Sequence, residues 1–273
     1  MVCFPHAKIN LGLYITEKRK DGFHNIETVF YPIPVYDVLE INRSDSVSGI
    51  ELTAYGLKID GRPEDNLVVK AYNLLSRDFD LGGVEVALFK HIPFGAGLGG
   101  GSSDAAFMLK LLNQEFDLQL SDTDLEHYAA QLGSDCAFFI KSRPVYATGR
   151  GNLFSAVDLD LSAYFLILVL PTGKVSTPDA YAGVSPSPSK DSLPDLLSKD
   201  INLWSKSVKN DFEESIVKTI PEIRTIKRKM YAHGAMYASM SGSGSSVYGI
   251  FKEKPEPALF ENYRFYKVTG LGV

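Results

Sequence analysis

The chain has 273 residues, 45% hydrophobic and 22% charged, which excludes disorder, collagen and coiled coil and suffices for one large domain or two smaller ones. Its formal net charge is −5, whereas nucleic-acid binding needs an excess of basic residues, so no nucleic-acid partner is expected. Two cysteines, Cys3 and Cys136, are too few for a disulfide framework or a cysteine-based zinc site, and they favour a reducing cytoplasm.

The first predicted element is a strand. Apolar residues alternate from Ala7 to Ile15, which places Lys8 and Asn10 together on the opposite face. By themselves, Lys8 and Asn10 are typical of a solvated strand edge. Because Lys8 interrupts the first apolar stretch, we expect neither a cleaved leader nor a membrane anchor.

A turn and a β-rich stretch follow. Residues 21–24, DGFH, have the composition of a turn, and residues 26–41 are rich in strand-forming side chains. Pro32 and Pro34 predict a bend or a sheet edge within that stretch, because proline cannot donate to a β-ladder. The apolar spacing then predicts a helix over residues 64–79 and another strand over Val84–Lys90.

A glycine-rich segment follows that strand. Residues 93–104, PFGAGLGGGSSD, include five glycines between Gly95 and Gly101 and lead directly into a strong helix former, residues 105–112. Glycines let backbone amides approach an anion, and the partial positive charge of a helix start attracts it. The pattern predicts a phosphate-binding loop, although a flexible loop without a ligand is the alternative.

The identity of the phosphate ligand stays open at this point. Residues 95–100 match the dinucleotide pattern G-x-G-x-x-G, with Glu115 and Asp117 near the position of a ribose-binding acid. However, the helix after the loop leads to Ser121 and another helix rather than to a strand that could carry the acid, which argues against a Rossmann fold. The Gly-Lys-Ser/Thr of a Walker A loop and the protein-kinase motifs are also missing.

A capped helix comes next, and the pattern changes near residue 150. Ser121 and Asp124 have the spacing of a capping box, Gly133 marks the end of that helix, and Asp135 lies just beyond it. The next predicted strand, residues 164–170, is the longest apolar run and is far shorter than the roughly 20 residues that a bilayer span needs. We therefore expect a soluble chain without a membrane partner.

The remaining elements are a loop, two helices and a hairpin-like segment. Residues 184–198, rich in Ser and Pro, predict a surface loop. Residues 210–213 are expected to cap a first helix, and Pro221 to begin a second that ends before Gly234. Short strands flank residues 239–246, SMSGSGSS, which are typical either of a tight turn or of a second anion-binding loop.

Three motifs taken together resemble those of the GHMP kinase superfamily. They are residues 5–11, PHAKINL, residues 93–103, PFGAGLGGGSS, and residues 241–244, SGSG, in that order. Residues 21–24, DGFH, and 132–139, LGSDCAFF, resemble the members of that superfamily that act on a cytidine diphosphate-linked substrate. The resemblance extends over essentially the whole chain.

The resemblance implies an α+β chain with two domains. Residues 1–150 would form an ATP-binding N-terminal domain of the ribosomal protein S5 domain 2-like type, and residues 151–273 a ferredoxin-like C-terminal domain contributing to the substrate cleft. It also implies ATP with Mg²⁺, phosphorylation of a hydroxyl group on a cytidine diphosphate-linked methylerythritol, and a place in isoprenoid precursor biosynthesis. No obligate protein partner is implied.

The resemblance also assigns residues to the site. Lys8 and Asp135 match the catalytic positions, and Ser102 or Ser103 would reach Mg²⁺. The expected ATP-binding residues are Pro93, Gly95, Ala96, Gly97, Leu98, Gly99, Gly100, Gly101, Ser102, Ser103, Asn66 and Lys90. The expected substrate-binding residues are Asn10, Phe23, His24, Thr177, Tyr181, Gly242 and Gly244, with the rings of Phe23 and Tyr181 stacking on cytosine.

Two positions depart from the family pattern: Phe23 stands where Tyr is common, and Asp104 where Asn is expected.

Three alternative functions stay open. Another small-molecule kinase of the superfamily, acting on homoserine, mevalonate or a sugar, has no need of two aromatic rings around a base. A non-catalytic nucleotide-binding module has no need of both Lys8 and Asp135. The third alternative is NAD binding.

Overall fold

The chain forms two compact units that are interleaved in sequence. The computed structural model describes residues 1–59, 61–189, 191–256, 260–269 and 271. Unit 1 consists of Met1–Ala7, Val35–Phe94 and Gly99–Arg143, and unit 2 of Lys8–Pro34, Gly95–Leu98 and Pro144–Val273. The segments of the two units alternate several times before residue 143. The single domain boundary near residue 150 stays a prediction.

The strands of the described residues form three four-stranded sheets, ordered β1-β4-β6-β5, β2-β3-β7-β8 and β10-β11-β9-β12. In chain order they are β1 (Val2–Cys3), β2 (His6–Lys18), β3 (His24–Tyr36), β4 (Val38–Arg43), β5 (Ile50–Gly56), β6 (Val84–Lys90), β7 (Val145–Thr148), β8 (Leu153–Ala156), β9 (Phe165–Leu170), β10 (Tyr237–Met240), β11 (Val247–Phe251) and β12 (Arg264–Thr269).

The helices of the described residues are α1 (Leu67–Leu75), α2 (Gly100–Glu115), α3 (Asp122–Leu132), α4 (Phe138–Lys141), α5 (Thr177–Ala182), α6 (Leu193–Leu197), α7 (Ile201–Ser207), α8 (Glu213–Thr219) and α9 (Glu222–Ala232). A short 3₁₀ turn, Pro63–Asp65, precedes α1. No helix in the described part of the chain has the length and hydrophobicity that crossing a bilayer requires.

Unit 1 is built on the sheet β1-β4-β6-β5, with α1, α2 and α3 packed together. Strand β6 pairs antiparallel with β4 and parallel with β5. Its side chains alternate strictly, so that Val84, Val86, Leu88 and Lys90 share the buried face. Because Lys90 lies on an apolar face, its ammonium group needs buried partners of opposite charge.

The N-terminal strand is buried on both of its faces. Considered without the other motifs, Lys8 and Asn10 were expected at a solvated strand edge. In the structure they are buried, with 3% and 2% of their surface exposed. Strand β3 runs without interruption through Pro32 and Pro34, and its pairing with β7 ends before them, at Phe30. The prolines therefore lie where a missing N–H costs no hydrogen bond to β7.

The C-terminal part of unit 2 is an antiparallel sheet covered by helices. Strand β9, an unbroken apolar run, lies between β11 and β12, and α9 packs on β10 and β11. Ile223, Ile226 and Met230 of α9 belong to the same buried cluster as Ile167 and Val169 of β9. The predicted Pro221 start of α9 and the predicted strand over residues 164–170 are confirmed to within one residue.

Three predicted elements differ from the structure. The helix predicted over residues 64–79 begins only at Leu67, because the Asn66 side chain caps Val68 N, and it ends at Leu75. The Ser/Pro stretch is not a loop throughout, since Ser192 caps α6 and three of its leucines are buried. Helix α7 was not predicted. The first C-terminal helix lacks a side-chain cap, although Asn210 Oδ1 accepts a hydrogen bond from Phe212 N at 3.0 Å.

Candidate active site

A cavity of about 340 Å³ lies within unit 1, a size that suits a small ligand. The residues predicted to bind ATP that line it are Asn66, Lys90 and Gly101. Apolar side chains of Leu52, Ile59, Leu67 and Phe94 form much of the remaining wall, and Asp104 lies beside Lys90. An apolar cavity with a few polar groups is suited to a flat heterocycle that has a polar edge.

A buried charged cluster borders this cavity. Lys90 Nζ donates one hydrogen bond to Asp37 Oδ2 and another, of 2.6 Å, to Asp104 Oδ2. The other oxygen of Asp37 accepts from the backbone N–H groups of His91 and Ile92, at 2.6 and 2.8 Å. Both carboxyls engage the Lys90 ammonium, so Lys90 holds the cluster together and has few donors left for a ligand.

Burial sets the protonation of this cluster. Burial raises the pKa of Asp104 to about 8, with the Asp37 charge acting in the same direction and Lys90 in the opposite one. Burial alone would lower the pKa of Lys90, but its two carboxyl partners outweigh that effect and raise it. Among the described residues, Asp104 Oδ1 has no hydrogen-bond partner. Asp104, which stands where the family pattern has Asn, therefore leaves one buried carboxyl oxygen without a hydrogen bond beside the cavity.

The phosphate loop is shorter than predicted. Helix α2 begins at Gly100, so Gly100, Gly101, Ser102 and Ser103 form its first turn rather than loop. The cap residue Gly99 has φ of +71°, which glycine adopts without strain. A Cβ at Gly100 would lie 2.8 Å from Ile92, so this helix start packs closely on its own unit. Its unpaired N–H groups point out of the helix start and favour an anion there.

Two serines of the first turn of α2 have different surroundings. Ser103 Oγ is buried and has no partner among the described residues. Ser102 is hydrogen-bonded to the Cys136 thiol, and burial raises the pKa of that thiol to about 12, with the charge of Asp135 acting in the same direction and the Ser102 hydrogen bond in the opposite one. The hydrogen bond brings the segment between α3 and α4, which carries Asp135, to the start of α2.

Strand β2 brings Lys8 and Asn10 together in unit 2. The two residues lie two positions apart on one face, and Lys8 Nζ donates to Asn10 Oδ1 at 2.6 Å. Asn10 Nδ2 donates to Thr28 Oγ1 at 2.9 Å, and Thr28 donates onward to Gly12 O at 2.6 Å. The Lys8 ammonium also lies 4.7 Å from the centre of the Phe30 ring. These contacts fix the direction of a buried ammonium group.

Gly95–Leu98 is held by two other motifs of the chain, all within unit 2. Lys8 N donates to Leu98 O at 2.9 Å, and Ser241 Oγ donates to Gly97 O at 2.8 Å. Ser246 Oγ donates to Ala96 O at 2.6 Å. Gly97 has φ of +78°, and a Cβ there would lie 2.0 Å from Ser241 O. Glycine is therefore required at residue 97 by both backbone conformation and space.

The loop after β10 is a second close approach of backbones. Gly242, a predicted substrate-binding residue, has φ of +55°, and a Cβ there would contact Gly97 at 3.2 Å and Asn10 Oδ1 at 3.4 Å. Gly244 also has positive φ, of +93°. Asn210 Nδ2 supports the loop by donating to Met240 O and Gly242 O, at 2.8 and 2.9 Å. The loop is held in shape before any ligand binds.

The predicted substrate residues of unit 2 form an aromatic group. Tyr181 stacks on His24, with 4.6 Å between ring centres and 21° between planes. Phe23 is 55% exposed and has the Arg150 guanidinium 4.7 Å from its ring centre. Thr177 and Tyr181 lie four residues apart on α5, and Thr177 Oγ1 is 3.3 Å from Ser243 Oγ. Helix α5 therefore carries both residues toward the Ser/Gly loop.

Several supporting residues were not predicted. Asp37 binds Lys90 and Thr28 binds Asn10, and neither supporting residue belongs to a motif. Ser241 and Ser246 lie in the loop after β10, and their hydroxyl groups support Gly97 and Ala96. Only the position of Lys90 on the apolar face of β6 could have indicated a buried counter-charge such as Asp37. Among the described residues, no group of three or more His, Cys, Asp or Glu side chains could hold a metal ion.

Family comparison matches both parts of the chain. Residues 66–143 match the GHMP kinases N terminal domain, and residues 192–267 match the GHMP kinases C terminal domain. The 4-diphosphocytidyl-2-C-methyl-D-erythritol kinase of Bacteroides fragilis is 56% identical over 252 residues, which cover 92% of each chain. Identity at this level over nearly the whole length extends well beyond the shared motifs.

Structural comparison agrees with the family match. A crystal structure of 4-(cytidine 5′-diphospho)-2C-methyl-D-erythritol kinase matches with a TM-score of 0.86 and 29% identity over 100% of both chains. The mevalonate kinase of Methanococcus jannaschii has a TM-score of 0.74 at 16% identity over 100% of this chain and 98% of its own, which shows a shared fold alone. The expected two-domain α+β architecture is confirmed. The chain belongs to the GHMP kinase family and, within it, to the 4-diphosphocytidyl-2-C-methyl-D-erythritol kinases.

Proposed function

We propose that this chain transfers the γ-phosphoryl group of ATP to the 2-hydroxyl group of 4-diphosphocytidyl-2-C-methyl-D-erythritol, giving its 2-phosphate for isoprenoid precursor synthesis. One observation carries the proposal: hydrogen bonds inside unit 2 join strand β2, Gly95–Leu98 and the loop after β10, each of which carries all or part of one of the three motifs. The two free cysteines support a cytoplasmic location.

ATP would bind with its base in the cavity of unit 1 and its phosphates at the start of α2. The apolar wall around Leu67 and Phe94 suits a purine, and Asn66 and Asp104 offer polar atoms to its edge. Backbone N–H groups of Gly100 and Gly101 would bind phosphate oxygens. The unsatisfied hydroxyl of Ser103 fits a phosphate oxygen or Mg²⁺, and Ser102 is the second candidate. When bound, Mg²⁺ supplies charge neutralisation at the transferring phosphoryl group.

Asp135 and Lys8 would act on the acceptor hydroxyl. Asp135 orients that hydroxyl group and accepts its proton, while the Lys8 ammonium stabilises the negative charge that develops on the reacting oxygen. Asn10, which binds Lys8 Nζ at 2.6 Å, keeps that ammonium in one direction. Because phosphoryl transfer depends mainly on positioning and charge neutralisation, the orientation of these groups carries most of their effect.

The cytosine ring would bind between Phe23 and Tyr181. One face of Tyr181 is occupied by His24, so a base that stacks there must displace the imidazole or use the opposite face of the ring. We favour displacement, because the released imidazole can then hydrogen-bond the polar edge of cytosine. Thr177, Gly242 and Gly244 would contact the diphosphate or the methylerythritol portion of the acceptor.

The test is ADP release with ATP and Mg²⁺, using the cytidyl substrate beside homoserine, mevalonate and galactose. Turnover is expected only with the cytidyl substrate. Asp135→Asn should lower kcat by about 10²- to 10⁴-fold, the range for loss of a proton-transfer group, without lowering the melting temperature. Asp158→Asn, at an exposed loop position, is the matched control and should keep full activity.

The outcomes separate the alternatives. Turnover with another acceptor would reject the cytidyl substrate and keep the kinase. ATP binding without turnover, measured as a rise in melting temperature, would favour a non-catalytic module. A shift in NADH fluorescence on adding the protein, with no thermal response to ATP, would favour NAD binding. Full activity of Asp135→Asn would reject the role given to that carboxylate.

A further inference from the structure

A second cavity, of about 630 Å³, lies within unit 2 and contains none of the proposed catalytic or substrate-binding residues. Its walls come from α8, α9, the beginning of β10 and the chain that leads into α8. The volume falls in the range of small-molecule sites. Although the whole chain is acidic, this cavity is lined by five basic residues and only three acidic ones.

Four of the basic residues lack an ion pair within the described part of the chain. Lys227 pairs with Glu213 at 2.5 Å, whereas the other four form no salt bridge there, although the charge of Lys209 acts on the pKa of Asp211. These four are Lys209, Lys218, Arg224 and Arg228. Like charges gathered around one concave surface repel each other and raise the local concentration of anions. The cavity is therefore electrostatically prepared for an anionic ligand.

The arrangement on α9 indicates how many charges the ligand carries. Arg224 and Arg228 are four residues apart and so lie on one face, with their Cβ atoms about 5–6 Å from each other. Lys227 lies on the same side, three residues after Arg224. A guanidinium group binds one phosphoryl group through two parallel hydrogen bonds, so two arginines one turn apart suit two linked phosphoryl groups.

The cavity also has an apolar portion. Val208, Val217, Tyr231, Tyr237 and Ala238 line it beside the charged wall. A diphosphate alone is much smaller than the cavity. The remaining space and its apolar wall therefore suit an organic group attached to the diphosphate.

Two lining residues connect the cavity to the proposed acceptor loop. Glu213 Oε1 accepts hydrogen bonds from Met240 N at 2.6 Å and from Ser239 Oγ at 3.0 Å, while Glu213 Oε2 binds Lys227. Asn210 donates to Met240 O and Gly242 O. An anion that draws Lys227 away from Glu213 would change the charge balance on the carboxylate that holds the start of this loop.

We propose that this cavity is an effector site for a small molecule bearing a diphosphate group, and that its occupation weakens acceptor binding through the loop after β10. The site is separate from the one proposed for ATP and acceptor. Only the effect on acceptor binding rests on the proposed function, because binding of the effector can be measured without turnover.

Binding is tested with inorganic diphosphate as the probe, by calorimetry at constant ionic strength with sodium sulfate as the reference salt. Saturating ADP is present, so that phosphate-binding groups of the nucleotide site are occupied. Trp204, the one tryptophan of the sequence, lies 5.7 Å from the Tyr237 ring of the cavity wall, and its fluorescence provides a local signal.

The double variant Arg224→Gln/Arg228→Gln should bind diphosphate at least about tenfold more weakly, as expected for loss of charge-assisted hydrogen bonds. The control Lys252→Gln/Lys254→Gln removes the same charge from exposed positions outside the cavity and should bind like the wild type. No binding by the wild-type chain, or equal binding by the double variant, would overturn the site.

Acceptor kinetics test the coupling, with free Mg²⁺ held constant because diphosphate chelates it. Diphosphate should raise the KM for the cytidyl substrate in the wild type and in the lysine control, and leave it unchanged in the arginine double variant. If diphosphate binds with the expected dependence on the arginines but the KM does not change, the effect on acceptor binding is wrong. Failure of all turnover would instead count against the proposed function.

Discussion

The buried polar groups of unit 1 and those around Gly95–Leu98 in unit 2 are held together by different interactions. In unit 1, one buried ammonium group lies between two buried carboxyls, in the cluster Asp37–Lys90–Asp104. In unit 2, neutral hydroxyl groups of Ser241 and Ser246 hold the backbone of Gly95–Leu98. Loss of one buried charge leaves its partners uncompensated, whereas loss of one hydroxyl removes only a hydrogen bond. The cluster Asp37–Lys90–Asp104 should therefore respond to charge, and the packing around Gly95–Leu98 to shape.

The largest effect is expected for Lys90→Met. The substitution leaves Asp37 and Asp104 buried without their cation and should lower the free energy of unfolding by about 3–5 kcal/mol. Urea denaturation measures this difference. Lys70→Met is the matched control, because Lys70 is exposed and lies 3.8 Å from Asp65, so it should cost less than about 1 kcal/mol. Equal losses for both variants would contradict the importance given to buried charge.

Gly97→Ala tests the sensitivity of unit 2 to shape. The new Cβ would lie 2.0 Å from Ser241 O, which forces two backbone segments apart. A displacement of about 1 Å at the site should lower kcat/KM by roughly 100-fold. Gly95→Ala has the same kind of positive φ but nothing within 4 Å of its new Cβ, so it isolates backbone strain from collision. Equal activity of both variants would show that the close approach at Gly97 has no functional weight.

The cost of a buried charge in unit 1 can also be tested by changing the pH, because the His6 imidazole is buried there. Burial lowers the pKa of His6 from 6.5 to about 4, among the rings of Phe107, Phe138 and Phe139. Between these values the unfolded chain binds a proton that the native chain does not, so stability falls as the pH falls. Between pH 6.5 and 5 the loss should be about 2 kcal/mol.

The measurement is the free energy of unfolding of wild type and His6→Phe at pH 7 and pH 5. The variant should lose less stability over this interval, by the amount given for His6. His127→Gln, at an exposed position of α3, should behave like the wild type. The same loss in His6→Phe and wild type would show that His6 does not govern the acid response.

The smallest effect is expected for Ser241→Ala. Its hydroxyl donates to Gly97 O at 2.8 Å and accepts from Asn10 N at 3.3 Å, and losing these bonds should cost about 1 kcal/mol of stability. The KM for ATP should rise, because Gly95–Leu98 loses a support. Ser245→Ala loses a comparable bond to Gly173 O and should leave this KM unchanged. A cost equal to that of Lys90→Met would contradict the comparison between the buried polar groups of unit 1 and those around Gly95–Leu98.

Local sequence was sufficient to predict the elements whose signals are short-range. The capping box of Ser121 and Asp124, the stop at Gly133 and the strand over Val84–Lys90 are all observed. The start of α2 was missed because glycine has low helix propensity. A Cβ at Gly100 would lie 2.8 Å from Ile92, so the close approach of this helix start to the rest of unit 1, which a spacing pattern does not show, requires glycine at residue 100.

The candidate site was predicted in its motifs but not in its supports. Lys8 and Asn10 could be placed on one strand face from alternation alone. The support of Asn10 by Thr28 and the cluster of Asp37, Lys90 and Asp104 join residues far apart in sequence, where no spacing pattern can indicate a contact. The roles of the site residues in catalysis stay predictions for the assays described above.

The interleaving of the units also affects the order in which the chain can fold during synthesis. All of unit 1 is contained within residues 1–143, whereas Lys8–Pro34 belongs to a unit that is completed by residues far downstream. The hydroxyl of Tyr248, for example, donates to Asn10 O across 238 positions. At about 5–20 residues per second, the ribosome needs roughly 10–50 s to join these partners. During that time a largely apolar segment near the N-terminus lacks its native neighbours, and it is the segment of the nascent chain that we expect a chaperone to protect.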